Sequence, residues 1–431
     1  MTELSQEKVS RRGFVKTAAV AAVGVVAGAA IGYGASSTTP AGYRTVTTTE
    51  TVTQTGTMGT GIPAYTPPPP EELDPYALDP LELYELQNPW VEVFPGPVLQ
   101  SKFEGPDETR LAQYKKDPPW TIYWVDQGGG NEFSRNIVYA IEKIAERDKR
   151  IGELKVLSAY WDSAKQKELL ESVYAKGDAD AVCVFPMDPT LYIPQYSQLY
   201  DAGIPVVSVQ GSFLGPKCTV SMVGDNRIFA RKQAKWIVKK LKGKGKVIAI
   251  TGIPGHNVRV QRWEYGAKPL FDSYPGIEIV AEASGEWAYD KSLEVARALM
   301  AAHPDFDAAY TDCGATSAAI IDAGIEIGRF FPVTGEDYNG FVRRVKKYRN
   351  EPGFDAFGDV SPTWTIIRSI DIATRLLSGY PEKRVTAFAP QALTMDQLCD
   401  MAIEEITDAW YLALGLCELT LDELRDFAKS G

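Results

Sequence analysis

The sequence predicts an α/β protein made of two doubly wound parallel sheets, each with helices on both faces. Three observations predict it. From Trp120 onward, short apolar stretches alternate with longer amphipathic ones. The short stretches are apolar almost without break, as in strands buried on both faces. The alternation also runs through roughly ten units, too many for one small sheet.

The elements follow in order. The first strand, Thr121–Val125, leads into Gly128-Gly129-Gly130 and a helix with Ile137, Ile141 and Ile144 along one face. Lys155–Ala159 is the second strand. Asp162 or Ser163 caps the next helix, which carries Leu169, Leu170 and Val173 and closes at Gly177. Ala181–Phe185 is a strand, Thr190–Ala202 a helix and Ile204–Val209 a strand. A helix runs from after Val223 to Leu241. Strands resume at Val247–Thr251, Ile277–Ala283, Ala308–Thr311 and Phe331–Gly335, with helices between them.

The ends have a different character. Ser10-Arg11-Arg12-Gly13-Phe14-Val15-Lys16 precedes an uncharged apolar run from Ala18 to Ala35. A basic segment before an apolar one is an export signal, and the arginine pair resembles a twin-arginine (Tat) signal. As a helix the run spans roughly 26 Å, between a cleaved signal and a membrane anchor. A Thr-rich tract and Pro67-Pro68-Pro69-Pro70 follow, too polar to bury a core and stiffened by proline. The expected organisation is therefore a signal or anchor (1–35), a stalk (36–70) and an extension packed on the domain surface (71–118). Lobe one takes 119–224 with 360–390, and lobe two takes 225–359. A helical extension (391–431) closes the chain, with Ile403, Ile406, Trp410 and Leu414 at helical spacing.

Composition removes several classes of function. Lys and Arg number 45 against 56 Asp and Glu, a net charge of −11, so nucleic acid is a poor partner. Two histidines and no CxxC argue against a zinc site or an HExxH hydrolase, and no metal is expected. GxGxxG, the P-loop pattern and GxSxG are all missing, and no cofactor is expected. Gly243-Lys244-Gly245-Lys246 precedes its strand and so lies on the wrong edge to cradle phosphate. No carboxylate pair stands out for glycoside hydrolysis.

In such sheets ligands bind beyond the carboxyl ends of the strands. Asp126, Gln127, Asn131 and Phe133 follow the first strand, Asp188 the third and Gln210 the fourth. His256, Asn257 and Arg262 follow the first strand of lobe two. Trp287, Asp312, Glu336, Asp337 and Asn339 follow later ones, and Asp359 lies near the return crossing. Amides, carboxylates, one arginine and aromatic rings suit a neutral polyhydroxyl ligand. Planar polar groups take hydroxyls in pairs, and rings cover the C–H face of a sugar.

These stretches resemble the periplasmic sugar-binding proteins of ABC transporters, the ribose- and galactose-binding class with the type I fold. The resemblance rests on Phe185-Pro186-Met187-Asp188-Pro189, Ala202-Gly203-Ile204-Pro205-Val206-Val207 and Val223-Gly224-Asp225-Asn226. It continues through Gly252-Ile253-Pro254-Gly255, Tyr274-Pro275-Gly276-Ile277, Ala302-His303-Pro304-Asp305 and Gly335-Glu336-Asp337. It implies two lobes joined by a three-crossing hinge, the first crossing near Gly224–Asn226, with a sugar closed between them. It also implies that Asn131, Phe133, Arg262 and Asp337 touch ligand and that Trp287 stacks on it. Asp188, Gln210, Asp312, Cys313 and Asp359 complete the expected ligand-binding set. Two departures bear on the sugar: Gln210-Gly211 stands where the ribose class has Asp-Arg, and Cys313 where it has asparagine.

The expected function is capture of a sugar or polyol outside the cytoplasm, at the periplasm or cell surface, and delivery to ABC permease subunits, with no reaction catalysed. The N-terminal segment attaches the protein to the membrane if it is uncleaved. A sensory receptor of the same fold and an exported α/β glycoside-acting enzyme are the alternatives. Trp263 and Trp124 are further stacking candidates. His256 is open between a sugar contact and a local structural role. Cys183 reads as a buried thiol, and the other cysteines leave a disulfide open.

Overall fold

The computed structural model describes residues 66–89, 103–129, 131–210, 215, 217–361, 363–414 and 419–429. The arginine pair, the apolar run and nearly all of the Thr-rich tract lie outside them. Among the described residues no helix is long and apolar enough to cross a membrane.

Helix α1 (Pro80–Gln87) opens on a capping box, with Asp79 accepting from the Glu82 N–H and Glu82 accepting from that of Asp79. Lobe one follows as β1 (Trp120–Asp126), α2 (Glu132–Arg147), β2 (Ile151–Ser158), α3 (Ser163–Lys176), β3 (Ala181–Val184), α4 (Ile193–Asp201), β4 (Val206–Val209) and β5 (Val220–Gly224). Asn131 caps α2 and Asp162 caps α3, which ends at Gly177 in the left-handed conformation. Helix α5 (Asn226–Lys240) leads into lobe two. There β6 (Gly245–Thr251) is followed by α6 (Asn257–Arg259), a π-helical stretch (Val260–Ala267) and α7 (Lys268–Asp272). Lobe two continues with β7 (Ile277–Ser284), α8 (Tyr289–Ala302), β8 (Ala308–Thr311), α9 (Gly314–Glu326), β9 (Pro332–Glu336), α10 (Asn339–Tyr348) and β10 (Asp355–Asp359). The chain ends through α11 (Thr363–Leu377), β11 (Val385–Phe388), β12 (Ala392–Leu393), α12 (Met395–Met401) and α13 (Leu421–Lys429).

The sheets have strand orders β11-β5-β4-β3-β1-β2 and β12-β10-β9-β8-β6-β7. Apart from the far-edge strand, each lobe is the same 2-1-3-4-5 winding, whose strand order reverses beside its first strand. Every pairing is parallel except the last: β12 joins β10 antiparallel through Gly358–Leu393 and Asp359–Ala392. Four strands, β5, β10, β11 and β12, are absent from the strands expected above. They are short, and β10 begins and ends on aspartate, so no apolar run announces them. The chain passes between sheets at Gly224–Asn226, Asp359–Thr363 and Phe388–Ala392.

Both flanking extensions are held by specific contacts. Segment 66–89 lies on α5, with Leu73 packed against the lobe-two core around Phe229 and Trp236. Its acidic groups meet the basic face of α5: Lys235 pairs with Asp79 and Glu82, each at 2.8 Å, and Arg231 with Glu85 at 2.8 Å. Arg227, Arg231, Glu82 and Glu85 are fully buried there. Segment 103–119 lies on lobe one, where the Arg384 guanidinium sits over Phe103 and donates to the Glu104 carbonyl.

The C-terminal region departs from expectation. Ile403, Ile406 and Trp410 are not on a helix, although their spacing imitates one. The backbone of 402–411 is irregular, with turns at 404–405 and 408–409, and many of its polar groups bond groups of both lobes. Cys183, Cys218, Cys313 and Cys399 are buried free thiols, so no disulfide joins them. Cys417 lies outside the described residues.

Candidate functional site

A cavity of about 650 Å³ lies between the carboxyl ends of the two sheets. Its walls repeat a motif, once per lobe. In lobe one, β1 leads into Gln127-Gly128 and the turn after β2 presents Trp161. In lobe two, β6 leads into Gly252 and the turn after β7 presents Trp287. Each indole packs against its glycine: a Cβ on Gly128 would stand 2.9 Å from Trp161, and one on Gly252 1.9 Å from Trp287. Each tryptophan is the second of two left-handed residues, Tyr160 and Trp161 at φ 54° and 65°, Glu286 and Trp287 both at 56°. Gln210, also on the wall, has φ 59°. Such conformations cost of order 1 kcal/mol or more each and persist where surrounding structure enforces them, commonly at ligand sites.

Between the two indoles stands His256, edge-on to Trp161 at 5.8 Å and to Trp287 at 5.0 Å. It caps α6, its Nδ1 accepting from the Val258 N–H at 3.2 Å. The neutral ring therefore carries its proton on Nε2, which donates across the cleft to Gln127 Oε1 at 3.2 Å. Burial, with Arg262 nearby, lowers its pKa to about 4. A second contact spans the lobes where the Tyr338 hydroxyl donates to Glu132 at 2.7 Å.

Arg262 projects from the π-helical stretch, a distortion that often marks functional positions. Its guanidinium lies over the Phe229 ring at 4.0 Å. It donates to Asn226 at 3.0 Å and to the Asp312 carbonyl, and pairs with Glu336 at 2.8 Å. Glu336 is raised to about 7, because burial outweighs the attraction of Arg262.

Of the ten expected ligand residues, Asn131, Phe133, Gln210, Arg262, Trp287 and Cys313 line the cavity, and four do not. Asp188 caps the turn Pro189–Tyr192, accepting from the Thr190 N–H and hydroxyl. Asp312 lies behind the wall and accepts from the Trp287 indole at 3.1 Å. Asp337 accepts the N–H groups of Ser361 and Ala413, each at 2.6 Å, and so joins a hinge crossing to the C-terminal segment. Asp359 is fully buried beneath the hinge, where desolvation drives its pKa well above the ordinary range. Trp124 and Trp263 are core residues, the latter packed with Phe271 and Tyr310. Trp161, Tyr338 and Tyr411 line the cavity and were not among the expected set. The signal for Trp161 was the aromatic just after a second strand, the same position that Trp287 holds in lobe two.

Asp126 ends β1 just behind the wall, and burial raises its pKa to about 7. Its folded-state pKa thus exceeds its unfolded value. Its contribution to stability is full below about pH 4 and is lost as pH rises through 7. His256 runs the other way: its lowered pKa removes stability as pH falls from about 6.5 to about 4. Asp126→Asn, which does not titrate, should melt higher than the native protein at pH 8 and no higher at pH 4. The gain at pH 8 should be on the order of a few kcal/mol. Equal melting at pH 8 would show that Asp126 is charged at no cost.

A family profile described as "Periplasmic binding protein domain" matches residues 122–380. The chain belongs to that family. Among curated relatives of this periplasmic binding protein is the D-ribose/D-allose-binding protein of Pseudomonas aeruginosa. The two are 28% identical over 224 residues, 51% of this chain and 69% of the relative. An ABC transporter solute-binding protein from Thermobispora bispora has the same fold, with TM-score 0.60 and 22% identity over 68% of this chain and 90% of its own. So does the fructose-binding periplasmic domain of a hybrid two-component system, with TM-score 0.56 and 20% identity over 66% and 93%. The type I architecture, two lobes linked by three crossings, is thus common to the periplasmic binding protein and these structures.

Proposed function

We propose that this protein captures a sugar or sugar-like polyol outside the cytoplasm and delivers it to an ABC permease. The observation that carries the reading is the pair of opposed tryptophans, Trp161 and Trp287, one from each lobe, on a cavity of about 650 Å³. That volume suits a small molecule, and indole faces cover the apolar face of a sugar ring. The rim between them offers donors and acceptors of fixed identity: Gln127, Asn131, Gln210, His256 and Arg262. Because the wall is divided between lobes, bound ligand favours the closed arrangement, and a permease that recognises closure accepts loaded protein. The arginine pair and apolar run near the N-terminus support an extracytoplasmic address and an attachment to the membrane. No bond is made or broken in this cycle.

A sensory role is the second reading, supported by the likeness to the periplasmic domain of a two-component system. Ligand closure would then be read by a signalling partner instead of a permease.

The test is a thermal-shift panel on the folded protein with D-ribose, D-allose, L-arabinose, D-fructose and myo-inositol. Ligand that binds only the folded state raises the midpoint by mass action. One or more of the panel should shift it, and the shift should vanish in Trp161→Ala and Trp287→Ala. Silence across the panel would overturn the sugar reading, and product formed on incubation would overturn the non-enzymatic one.

A further inference from the structure

The segment after α12 crosses from lobe two to lobe one beside the cavity. In lobe two, the Asn339 side chain accepts the Ile403 N–H at 3.1 Å and donates to the carbonyls of Ile403 and Thr407 at 2.9 and 3.0 Å. The Asn339 N–H donates to the Trp410 carbonyl and that of Gly340 to Asp408. In lobe one, Asn136 on α2 donates to the Ala409 carbonyl at 2.9 Å and accepts the Tyr411 N–H at 3.0 Å. Trp410 is fully buried against Tyr139 and Phe427, which fastens α13 to α2. One asparagine per lobe thus satisfies a backbone that has left helical geometry, as buried peptide groups require.

One face of this strap looks into the cavity. Tyr411 stands edge-on to Phe133 of lobe one at 5.2 Å and to Tyr338 of lobe two at 5.4 Å. Among the described residues its buried hydroxyl meets only a thiol, Cys313 Sγ at 3.7 Å, and a thiol is a weak partner. Thr407 Oγ1 accepts the Ala409 N–H at 3.2 Å, which leaves the hydroxyl proton to donate elsewhere. Asp408 is held by Arg343 and Arg344, so the strap is fixed at its cavity end. A buried hydroxyl without a strong partner is costly unless ligand supplies one.

We propose that residues 407–411 are a third wall of the ligand site, with the Tyr411 and Thr407 hydroxyls bonded to hydroxyls of the bound polyol. The proposal rests on the receptor reading above. A wall drawn from outside the two sheets makes specificity depend on the strap as well as on the lobes.

The experiment is calorimetric titration of the full chain with whichever of the five panel compounds binds most tightly. Tyr411→Phe keeps the ring on Phe133 and Tyr338, and Thr407→Val keeps the shape. Each should weaken binding about tenfold, as loss of one hydrogen bond does. The ligand-free melting temperature should not fall in Tyr411→Phe, and should fall slightly in Thr407→Val, which gives up the bond to the Ala409 N–H. Among monodeoxy analogues of that compound, one should bind native protein and Tyr411→Phe equally. That equality separates a ligand contact from a packing role. Native affinity in both variants would overturn the third wall and leave the receptor intact. So would a loss of affinity that no deoxy analogue equalises. A native protein that binds none of the five would overturn both readings together.

Discussion

Arg262→Ala is expected to lower folding stability by about 3–5 kcal/mol and to abolish ligand capture, the largest single effect in the cavity. The guanidinium is buried and is held by Asn226, the Asp312 carbonyl and Glu336. Removing one member of a buried ion pair leaves the other charged and unpaired, which costs that much. Here the orphan is Glu336, with Asp312 and Asp337 close enough to raise its pKa further. The loss should therefore be smaller at pH 5 than at pH 8, because protonated Glu336 needs no counter-charge. Arg262→Lys should recover part of the stability and little of the binding, since an ammonium cannot reproduce the planar fork. Denaturant titration at the two pH values, beside binding measurements, checks both parts. A fully stable Arg262→Ala would mean that the Arg262–Glu336 pair contributes nothing net.

The second large effect is expected far from the cavity. Glu85→Gln should destabilise the protein by about 3–5 kcal/mol, although the side chain keeps its shape. Glu85 is fully buried and faces two arginines of α5, Arg231 at 2.8 Å and Arg227 at 3.5 Å. With an amide in its place, Arg231 loses the carboxylate at 2.8 Å, while Arg227 keeps Asp225 at 3.4 Å. Segment 66–89 would then lose one of its buried attachments to α5 and should become more open to proteolysis between α1 and β1. Limited digestion with mass analysis, beside denaturant titration, reads both consequences. Unchanged resistance and an unchanged midpoint would show that Leu73 and the Lys235 pairs with Asp79 and Glu82 suffice to hold the segment.

How much of this was legible beforehand follows from which forces act locally. The strands of the sheet centres carry unbroken apolar runs, so Trp120–Asp126 and Ala181–Val184 declared themselves. The helix cap at Asp162 was readable in the same way, because capping is settled within a few residues, whereas Asn131, expected at the ligand, also caps its helix. The edge strands were not, since β10 and β12 are defined by their neighbours. At the site, the carboxylates were the misleading class. Asp188, Asp312, Asp337 and Asp359 follow strands, as ligand groups do, yet each serves a cap, an indole, a crossing or the floor of the hinge. Position after a strand places a residue at the correct end of the sheet. It does not say whether the side chain points at ligand or at backbone. Trp161 needed the internal repeat of the two lobes, and Tyr411 needed a tertiary path that no local pattern encodes.

The strap sets an order on synthesis. Among the described residues all twelve strands precede Thr407 in the chain, so both sheets are made before the strap that lines the cavity beside them. The strap therefore docks on ends of the two sheets that its own residues do not build. If the strap holds ligand, full affinity for cargo waits on the docking of the last part of the cavity wall to be made, and a chain whose strap has not docked binds more weakly than the finished protein.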